Sequence, residues 1–134
     1  VYGLDQSIFD EVEKNWINNL KETKYKSKIH FYKDYSSNVL KKLKTNFDFI
    51  YIDGDHKSET VLNDLKMSYN LLKLGGIMLI DDAVNWKARD HITGQIINDE
   101  KLTPKYALDQ FLKMNYKVKQ LKIPKNNQVA LMKI

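Results

Sequence analysis

Residues 47–56 of the chain read FDFIYIDGDH, and residues 71–82 read LLKLGGIMLIDD. Each stretch holds a continuous apolar run, Phe49–Ile52 in the first and Ile77–Ile80 in the second, which is typical of a strand buried on both faces of a parallel sheet. Between them, apolar residues at helical spacing predict a helix over Ser58–Leu74 that ends at the glycine pair. Strand, helix and strand in this order predict a right-handed βαβ unit with two parallel, neighbouring strands.

The rest of the chain shows the same two kinds of hydrophobic pattern. The further predicted elements are a strand ending at Asp5, a helix beginning at Ser7, a strand over 29–32, helices after Ser36 or Ser37 and after Thr103-Pro104, and an antiparallel hairpin of 116–123 with 128–134. We therefore expect a single domain over residues 1–134, of the α/β class. Its sheet should be Rossmann-like and mostly parallel, with a C-terminal antiparallel hairpin.

Composition and charge narrow the range of functions. The chain has no cysteine, which excludes a disulfide scaffold and a thiolate metal site. It contains neither an apolar run of membrane-spanning length nor a signal-peptide pattern, so we expect a cytoplasmic protein with no membrane partner. The net charge of +5 comes from lysine, with Arg89 as the only arginine. Because lysine lacks the bidentate geometry of arginine, this charge favours a solvated surface over a nucleic-acid interface.

Acidic side chains follow both apolar runs at the point where each strand should end. Asp53, Asp55 and His56 follow the first run, and Asp81 and Asp82 follow the second. Open α/β sheets bind their ligands at the carboxyl ends of the strands. Three of these carboxylates, Asp53, Asp81 and Asp82, could therefore converge on a hard cation such as Mg²⁺. The alternative is that aspartate and glycine only form turns and helix caps here.

Together, the two stretches resemble strands four and five of class I S-adenosylmethionine (SAM) dependent methyltransferases. They are most similar to the metal-dependent O-methyltransferases of the catechol and macrocin (macrolide-sugar) type. The resemblance rests on the aspartates after the first run, the double glycine, and the acidic pair after the second run. It implies methyl transfer from SAM to a hydroxyl group of a small molecule or sugar, with Mg²⁺ or another divalent cation.

The resemblance also implies roles for individual residues. The metal would be held by Asp53, Asp81 and Asp82. The base would be Asp55, as the sugar-modifying type suggests, or His56, which stands where the catechol type has a lysine; the sequence leaves both open. The SAM site would include Asp5 at the ribose, Asp34, Tyr35 and Ser36 beside the adenine, and Asp53. Tyr35-Ser36 departs from the usual Asp-Ser, because the aspartate, Asp34, stands one place early.

At the N-terminus the resemblance is incomplete. The family's first strand and glycine-rich turn should precede Val1, and they are missing from this sequence. We therefore expect a partial domain with open strand edges, which a homodimer could pair. A truncated, non-catalytic methyltransferase-like binding module is the alternative function. Trp86 and His91 belong to the long irregular segment 83–102, where such enzymes often receive their substrate; a plain surface loop is the alternative. Tyr51 and Tyr69 are expected to pack in the core or on the sheet.

Overall fold

The computed structural model describes residues 32–90, 92–124 and 127–134, together with residues 11, 14–15, 18–19 and 30. The predictions for Asp5 and His91 lie outside these ranges, and so do residues 29 and 31 of the strand predicted over 29–32; its other two residues, His30 and Tyr32, are not in a strand. The helix predicted from Ser7 is only partly described. Its described residues, 11, 14–15 and 18–19, are helical and exposed.

The described elements form one sheet with helices packed against it. In chain order they are α1 (Ser36–Lys42), β1 (Phe47–Ile52), α2 (Ser58–Leu71), β2 (Leu72–Ile80), a 3₁₀ turn (Glu100–Leu102), α3 (Pro104–Leu112), β3 (Val118–Leu121) and β4 (Val129–Lys133). The strand order is β1-β2-β4-β3. The strands β1 and β2 are parallel, whereas β4 is antiparallel to both β2 and β3. The predicted βαβ unit is therefore confirmed, and β4 is the only antiparallel strand among those described.

The helix α2 ends earlier than the glycine pair suggested. It stops at Leu71, and Leu72 already pairs with Phe47 of β1. The next pair of the ladder joins Phe49 to Ile77, so β2 carries three more residues than β1 between these two pairs. Gly75 lies in this irregularity with a φ of 77°. The double glycine therefore permits a bulge inside β2, and its prediction as the end of the helix is wrong.

The apolar run of β1 suggested a strand buried on both faces, but only one of its faces is buried. Ile52 is 8% exposed and Ile50 packs against the core, but Phe49 and Tyr51 are 55% and 46% exposed. Side chains alternate along a strand, so one face of β1 faces the core and the other is open. Among the described strands, β1 also forms the edge of the sheet. Its apolar residues alone could not distinguish these two environments.

The hydrophobic core joins α2 and α3 to one face of β2 and β4. Its fully buried members include Leu65 of α2, Phe111 of α3, Met78 of β2 and Leu131 of β4, each at 0% exposure. Burial of each such side chain stabilises the fold by about 1.5–3 kcal/mol relative to its exposure. Tyr69 packs edge-on against the rings of Phe111 and Tyr116, which confirms its prediction as a packing residue.

The helix α3 starts as its sequence predicted. Pro104 occupies its first turn, and the Thr103 hydroxyl accepts a hydrogen bond from the backbone N–H of Tyr106 at 3.2 Å. This helix supplies Ala107, Leu108 and Phe111 to the core. None of the described helices combines the length and apolarity that crossing a bilayer requires.

Candidate active site

The candidate site lies where β1 and β2 end side by side. The backbone N–H of Asp81 donates to the carbonyl oxygen of Ile52 at 2.9 Å, which extends the pairing of the two strands by one step. This bond brings the acidic segment after β2 next to the segment Asp53–His56 after β1. The expectation that the two acidic strand ends share one edge of the sheet is thus confirmed.

His56 and Asp82 form a pair across this edge. The Nε2 of His56 lies 2.8 Å from Oδ2 of Asp82, and the two side chains are 34% and 29% exposed. The Trp86 ring stacks on the His56 ring, with centroids 4.9 Å apart and planes inclined by 9°. The carboxylate fixes one edge of the imidazole and the indole covers one of its faces. His56 is therefore held in a single orientation but remains accessible to a ligand.

The backbone of Asp82 has an uncommon conformation. Its φ is 50°, in the left-handed region that aspartate tolerates better than most residues. Asp82 is the second residue of the turn that follows β2, and its backbone N–H donates to Oδ1 of Asp81 at 2.9 Å. Residues in this region persist only where the surrounding structure holds them, and they concentrate at functional sites.

Tyr51 forms a second link between the strands. Its hydroxyl donates to Oδ2 of Asp81 at 2.5 Å and accepts from the Nε2 of Gln128, just before β4, at 3.3 Å. The bond to Asp81, followed by burial and the charges of Asp53 and Asp81, raises the pKa of Tyr51 to about 12. The same bond is the main reason why the pKa of Asp81 is lowered. Near neutral pH, Tyr51 is thus a protonated donor and Asp81 an ionised acceptor.

Asp55 supports the start of α2. Its Oδ2 accepts from the Thr60 hydroxyl at 2.9 Å, and its Oδ1 accepts from the backbone N–H of Lys57 at 3.2 Å. Both oxygens therefore satisfy donors in the first turn of the helix or just before it. Carboxylates in this position also interact favourably with the positive end of the helix. This arrangement matches the alternative in which Asp55 only forms a turn, here directly before α2.

The three carboxylates assigned to Mg²⁺ by resemblance do not form a metal-binding group here. Asp81 is bonded to Tyr51, and Asp82 is bonded to His56. Asp53 is exposed and accepts no hydrogen bond from the described residues. Over residues 32–90 and the other described ranges, no cluster of three or more His, Cys, Asp or Glu side chains is placed to hold a metal ion. This donor set does not fit Mg²⁺ in the geometry that the structure has.

The residues assigned to the adenine end of SAM lie at the start of α1. Oδ1 of Asp34 accepts from the backbone N–H of Tyr35 and from Nδ2 of Asn38, both at 2.8 Å, so this carboxylate serves the helix start. These bonds, the one from Asn38 foremost, lower the pKa of Asp34. The Tyr35 side chain is 72% exposed, and Ser36 is half-buried in the first turn. Asp5, the expected ribose ligand, lies outside the described residues.

The segment after Asp82 forms one wall of an open cavity beside His56. The cavity has a volume of about 750 Å³, and its walls include Trp86, Arg89 and Ile96. An antiparallel bridge between Arg89 and Ile96 closes a small loop within this segment. Volumes of roughly 300–1,000 Å³ are typical of small-molecule sites. Trp86 borders this cavity, and the expectation that it lies near the substrate stays a prediction; His91 lies outside the described residues.

Two polar partners at this site were not predicted from the sequence. Tyr51 was expected to pack, and Gln128 was treated only as part of a strand. For Tyr51 the alternation of side chains along β1 was an available signal, because it lies two residues before Asp53 and so shares its face. For Gln128 no local signal existed. Its position depends on the pairing of β4 with β2, which is a long-range contact.

Comparisons with known proteins concern the same region of the chain. Residues 1–83 match the model of a family described as a methyltransferase domain. An uncharacterized protein of Acanthamoeba polyphaga mimivirus is 32% identical over 91 residues, which cover 63% of this chain and 41% of that protein. The match therefore spans less than half the length of this relative.

A solved structure shows the fold over nearly the whole chain. It is that of a proposed rRNA-methylase from Clostridium thermocellum, which matches with a TM-score of 0.58 at 21% identity. The match covers 98% of this chain and 69% of the other. A likeness at this identity establishes the architecture, an α/β fold with a mixed, Rossmann-like sheet.

Proposed function

The chain belongs to the methyltransferase domain family, and from this premise we propose that it transfers a methyl group from SAM to a hydroxyl oxygen of a small molecule or sugar. In this proposal His56 is the general base. The single observation that carries it is the pair of His56 and Asp82 at the joined ends of β1 and β2, stacked on Trp86 beside an open cavity.

The pair determines which nitrogen of His56 can accept a proton. A carboxylate only accepts hydrogen bonds, so Nε2 of His56 carries the hydrogen that Asp82 receives. In the neutral ring Nδ1 is then the basic nitrogen, and it has no hydrogen-bond partner in the described part of the chain. When Nδ1 takes the hydroxyl proton of an acceptor, the ring becomes cationic. The charge on Asp82, 2.8 Å from Nε2, stabilises that cation.

Neither Asp55 nor Tyr51 is as well suited to this role. Both oxygens of Asp55 already accept hydrogen bonds at the start of α2. The pKa of Tyr51 is raised to about 12, so its phenol stays protonated at neutral pH. Of the two bases that the sequence left open, the geometry favours His56. Asp55 is then a structural residue at the start of α2.

SAM, when bound, supplies a methyl group activated by a positively charged sulfur. The residues at this edge of the sheet fit such a donor in part. Asp53 has an exposed carboxylate without a hydrogen bond to the described residues, which suits an amine or hydroxyl group of SAM. The exposed ring of Tyr35 at the start of α1 suits contact with the adenine. We assign these two residues to the SAM side and His56 to the acceptor side.

Mg²⁺ has no step in the proposed mechanism. The resemblance assigned it to Asp53, Asp81 and Asp82, but Tyr51 and His56 occupy the last two carboxylates. Each of these two carboxylates keeps a second oxygen, but the three side chains form no metal-binding cluster among the described residues and would have to move together before they could share a cation. The activity assay therefore includes a chelator, because loss of turnover on chelation would show that the reaction depends on a metal.

The test is methyl transfer from radiolabelled SAM to a panel of hydroxylated aromatic compounds and sugars. We expect His56→Ala to lower turnover by roughly 10²–10⁴-fold, because a positioned base contributes about that much. Affinity for SAM should change far less. Because asparagine also tolerates a positive φ, Asp82→Asn should lower turnover without unfolding the turn. The control is His30→Ala, since His30 is exposed and outside the candidate site.

Three outcomes would contradict parts of the proposal. Wild-type turnover in His56→Ala would show that His56 is not the base. Loss of turnover after chelator treatment, with recovery on adding Mg²⁺, would show that the carboxylates act through a metal. Binding of SAM without transfer to any hydroxyl acceptor would favour the non-catalytic binding module.

A further inference from the structure

We propose that the methyl acceptor carries an anionic group, a carboxylate or a phosphate, which Lys57, Lys87 and Arg89 bind in the cavity beside His56. This inference rests on the proposed function, because it names the class of acceptor for the same site. It predicts a small, partly apolar molecule with an acidic group at one end and a hydroxyl group at the other.

Three cationic side chains converge on this cavity. Lys57 directly follows His56, while Lys87 and Arg89 belong to the segment after Trp86, and all three border the same space of about 750 Å³. They are exposed, so an incoming ligand can reach them. These cations come from two separate segments and border one cavity, so they can bind an anion from two sides. A row of lysines on one helix could contact it from one side only.

The acidic residues in the cavity do not neutralise these cations. Asp55 accepts from Thr60 and from the backbone of Lys57, and Asp82 is paired with His56. Neither Lys57 nor Lys87 forms an ion pair with any residue that the structure describes.

Other lysines of the chain do have acidic partners. Lys73 pairs with Asp48 at 2.8 Å, and Lys105 pairs with Asp109 at 2.6 Å. Lys57 and Lys87 share the lack of a described acidic partner with most lysines of the described ranges, and what distinguishes them is their common position at the cavity. The guanidinium of Arg89 uses Nη1 to bond the carbonyl of Gly94 at 3.0 Å, which holds the group in place and leaves other N–H donors for a ligand.

A neighbouring cavity has the opposite charge. It has a volume of about 630 Å³ and is bordered by Asp99, Glu100 and Asp109, with Lys87 and the already paired Lys105 as its cations. An anion would be repelled from this second cavity and attracted to the first. The two adjacent spaces thus direct an acidic group towards His56.

The rest of the wall is apolar. Ile96, Ile97 and Leu102 border the cavity and are 43%, 38% and 43% exposed, and Trp86 presents an aromatic ring beside them. A ligand that covered these side chains would remove apolar surface from water. The wall therefore suits the apolar body of an acceptor, with its acidic group at the three cations and its hydroxyl group at His56.

The arrangement favours a small molecule over RNA. Proteins that bind a nucleic-acid backbone usually spread their cations along a stripe that follows several phosphates. Here the cations surround a single cavity of small-molecule size, and the segments next to it carry Asp99 and Glu100. RNA is accordingly an outcome of the experiment and not part of the proposal.

The experiment measures binding to the intact chain by calorimetry at low and moderate salt. The probes are 3,4-dihydroxybenzoate and its neutral amide, which have the same ring and hydroxyl groups. We expect the acid to bind roughly tenfold more tightly than the amide, because a hydrogen bond to a charged group contributes about that factor. Lys57→Gln combined with Lys87→Gln should reduce this preference, with Arg89 retaining the remainder, and leave the affinity for the amide unchanged. The control is Lys113→Gln, an exposed lysine outside the cavity.

The outcomes separate this inference from the proposed function. Equal binding of acid and amide, or an unchanged preference in the double variant, would overturn the anionic acceptor even if methyl transfer to a neutral hydroxyl were found. A preference for the acid that the double variant reduces would support it, even if methyl transfer were not detected. Tighter binding of a single-stranded RNA than of the acid, weakened in the same variant, would overturn the small-molecule assignment.

Discussion

Asp64 is a charged side chain that the fold of the described residues places in its interior. It lies on α2, is 7% exposed, and its Oδ1 has no hydrogen-bond partner among the described residues. Burial raises the pKa of Asp64, and a hydrogen bond from the Ser36 side chain opposes that shift only in part. A buried polar atom without a partner costs about 1–3 kcal/mol. Asp64 is therefore a local weakness between α1 and α2.

The sign of its pH dependence follows from linkage. A carboxyl group whose pKa is higher in the folded state than in the unfolded state binds more protons when folded. Its contribution to the free energy of unfolding thus falls as the pH rises from the ordinary value of 3.8 to the raised value, and stays low above it. The penalty is fully present once the pH exceeds the raised pKa, and it disappears on acidification through this window.

We therefore expect Asp64→Asn to stabilise the protein at pH 7 by about 1 kcal/mol, because the substitution removes the buried charge. Urea denaturation of both proteins at pH 7 and near pH 4 measures the effect, and the difference between them should shrink at the lower pH. Asp48→Asn is the control, since Asp48 is exposed in a surface ion pair and should change stability little. A destabilised Asp64→Asn at pH 7 would show that the charge has a favourable partner.

At the scale of elements, the bulge in β2 decides how β1 and β2 align. A Cβ atom at Gly76 would lie 2.9 Å from the carbonyl oxygen of Lys73 and 3.0 Å from Cγ of Leu72. A Cβ atom at Gly75 would meet nothing within 4 Å, but its φ of 77° strains any side chain there. The two glycines are thus needed for different reasons, close approach at Gly76 and backbone conformation at Gly75.

Substitutions at the two positions should separate these causes. Gly75→Ala is expected to cost about 1–2 kcal/mol of stability from backbone strain, and Gly75→Asn should cost less, because asparagine tolerates positive φ. Gly76→Ala should cost about 1–3 kcal/mol from crowding, and asparagine should bring no relief there. Thermal unfolding of the four variants measures this. If asparagine and alanine were equally destabilising at Gly75, strain would not be the cause.

The same elements show how far the sequence allows prediction. Continuous apolar runs and a helical stripe between them were enough to predict β1, α2 and β2 and their parallel pairing. The end of α2 was misplaced, because a glycine pair fits a helix end and a bulge equally well until the register with Phe47 and Phe49 is known. The exposed face of β1 was missed for a similar reason. Which face of a strand is covered depends on its neighbours and not on its own residues.

For the candidate site, too, the positions of residues were predicted from the sequence, whereas their hydrogen-bond partners were not. The acidic edge followed from the strand order, so Asp53, Asp81, Asp82 and His56 were identified correctly as neighbours of one edge. Their partners were not predictable, because Tyr51–Asp81 and His56–Asp82 are contacts across the strand ends, 30 and 26 residues apart in the chain. The residue types show which side chains could act as a base or bind a cation. The hydrogen-bond partners then determine which of these roles each side chain can take.

At the scale of the whole molecule, the hydrophobic core connects the candidate site to the other described elements. One cluster of buried side chains runs from Ile52, beside the site, through Leu65 of α2 and Phe111 of α3 to Leu131 of β4. The last strand is thus part of the same packed unit as the first described one. The site also depends on it directly, since Gln128, just before β4, donates to Tyr51.

We expect Leu131→Ala to destabilise the whole described unit and not only the hairpin. Leu131 is 0% exposed, and truncation of such a side chain costs about 2–5 kcal/mol. Hydrogen exchange should then show a similar loss of amide protection in β1, α2, α3 and β4, because all of them contact the same cluster. Leu74→Ala is the control: Leu74 is 79% exposed, so its truncation should leave protection nearly unchanged. Loss of protection confined to β3 and β4 would contradict the expectation, since the hairpin would then be a separate unit and the site at the ends of β1 and β2 would form without it.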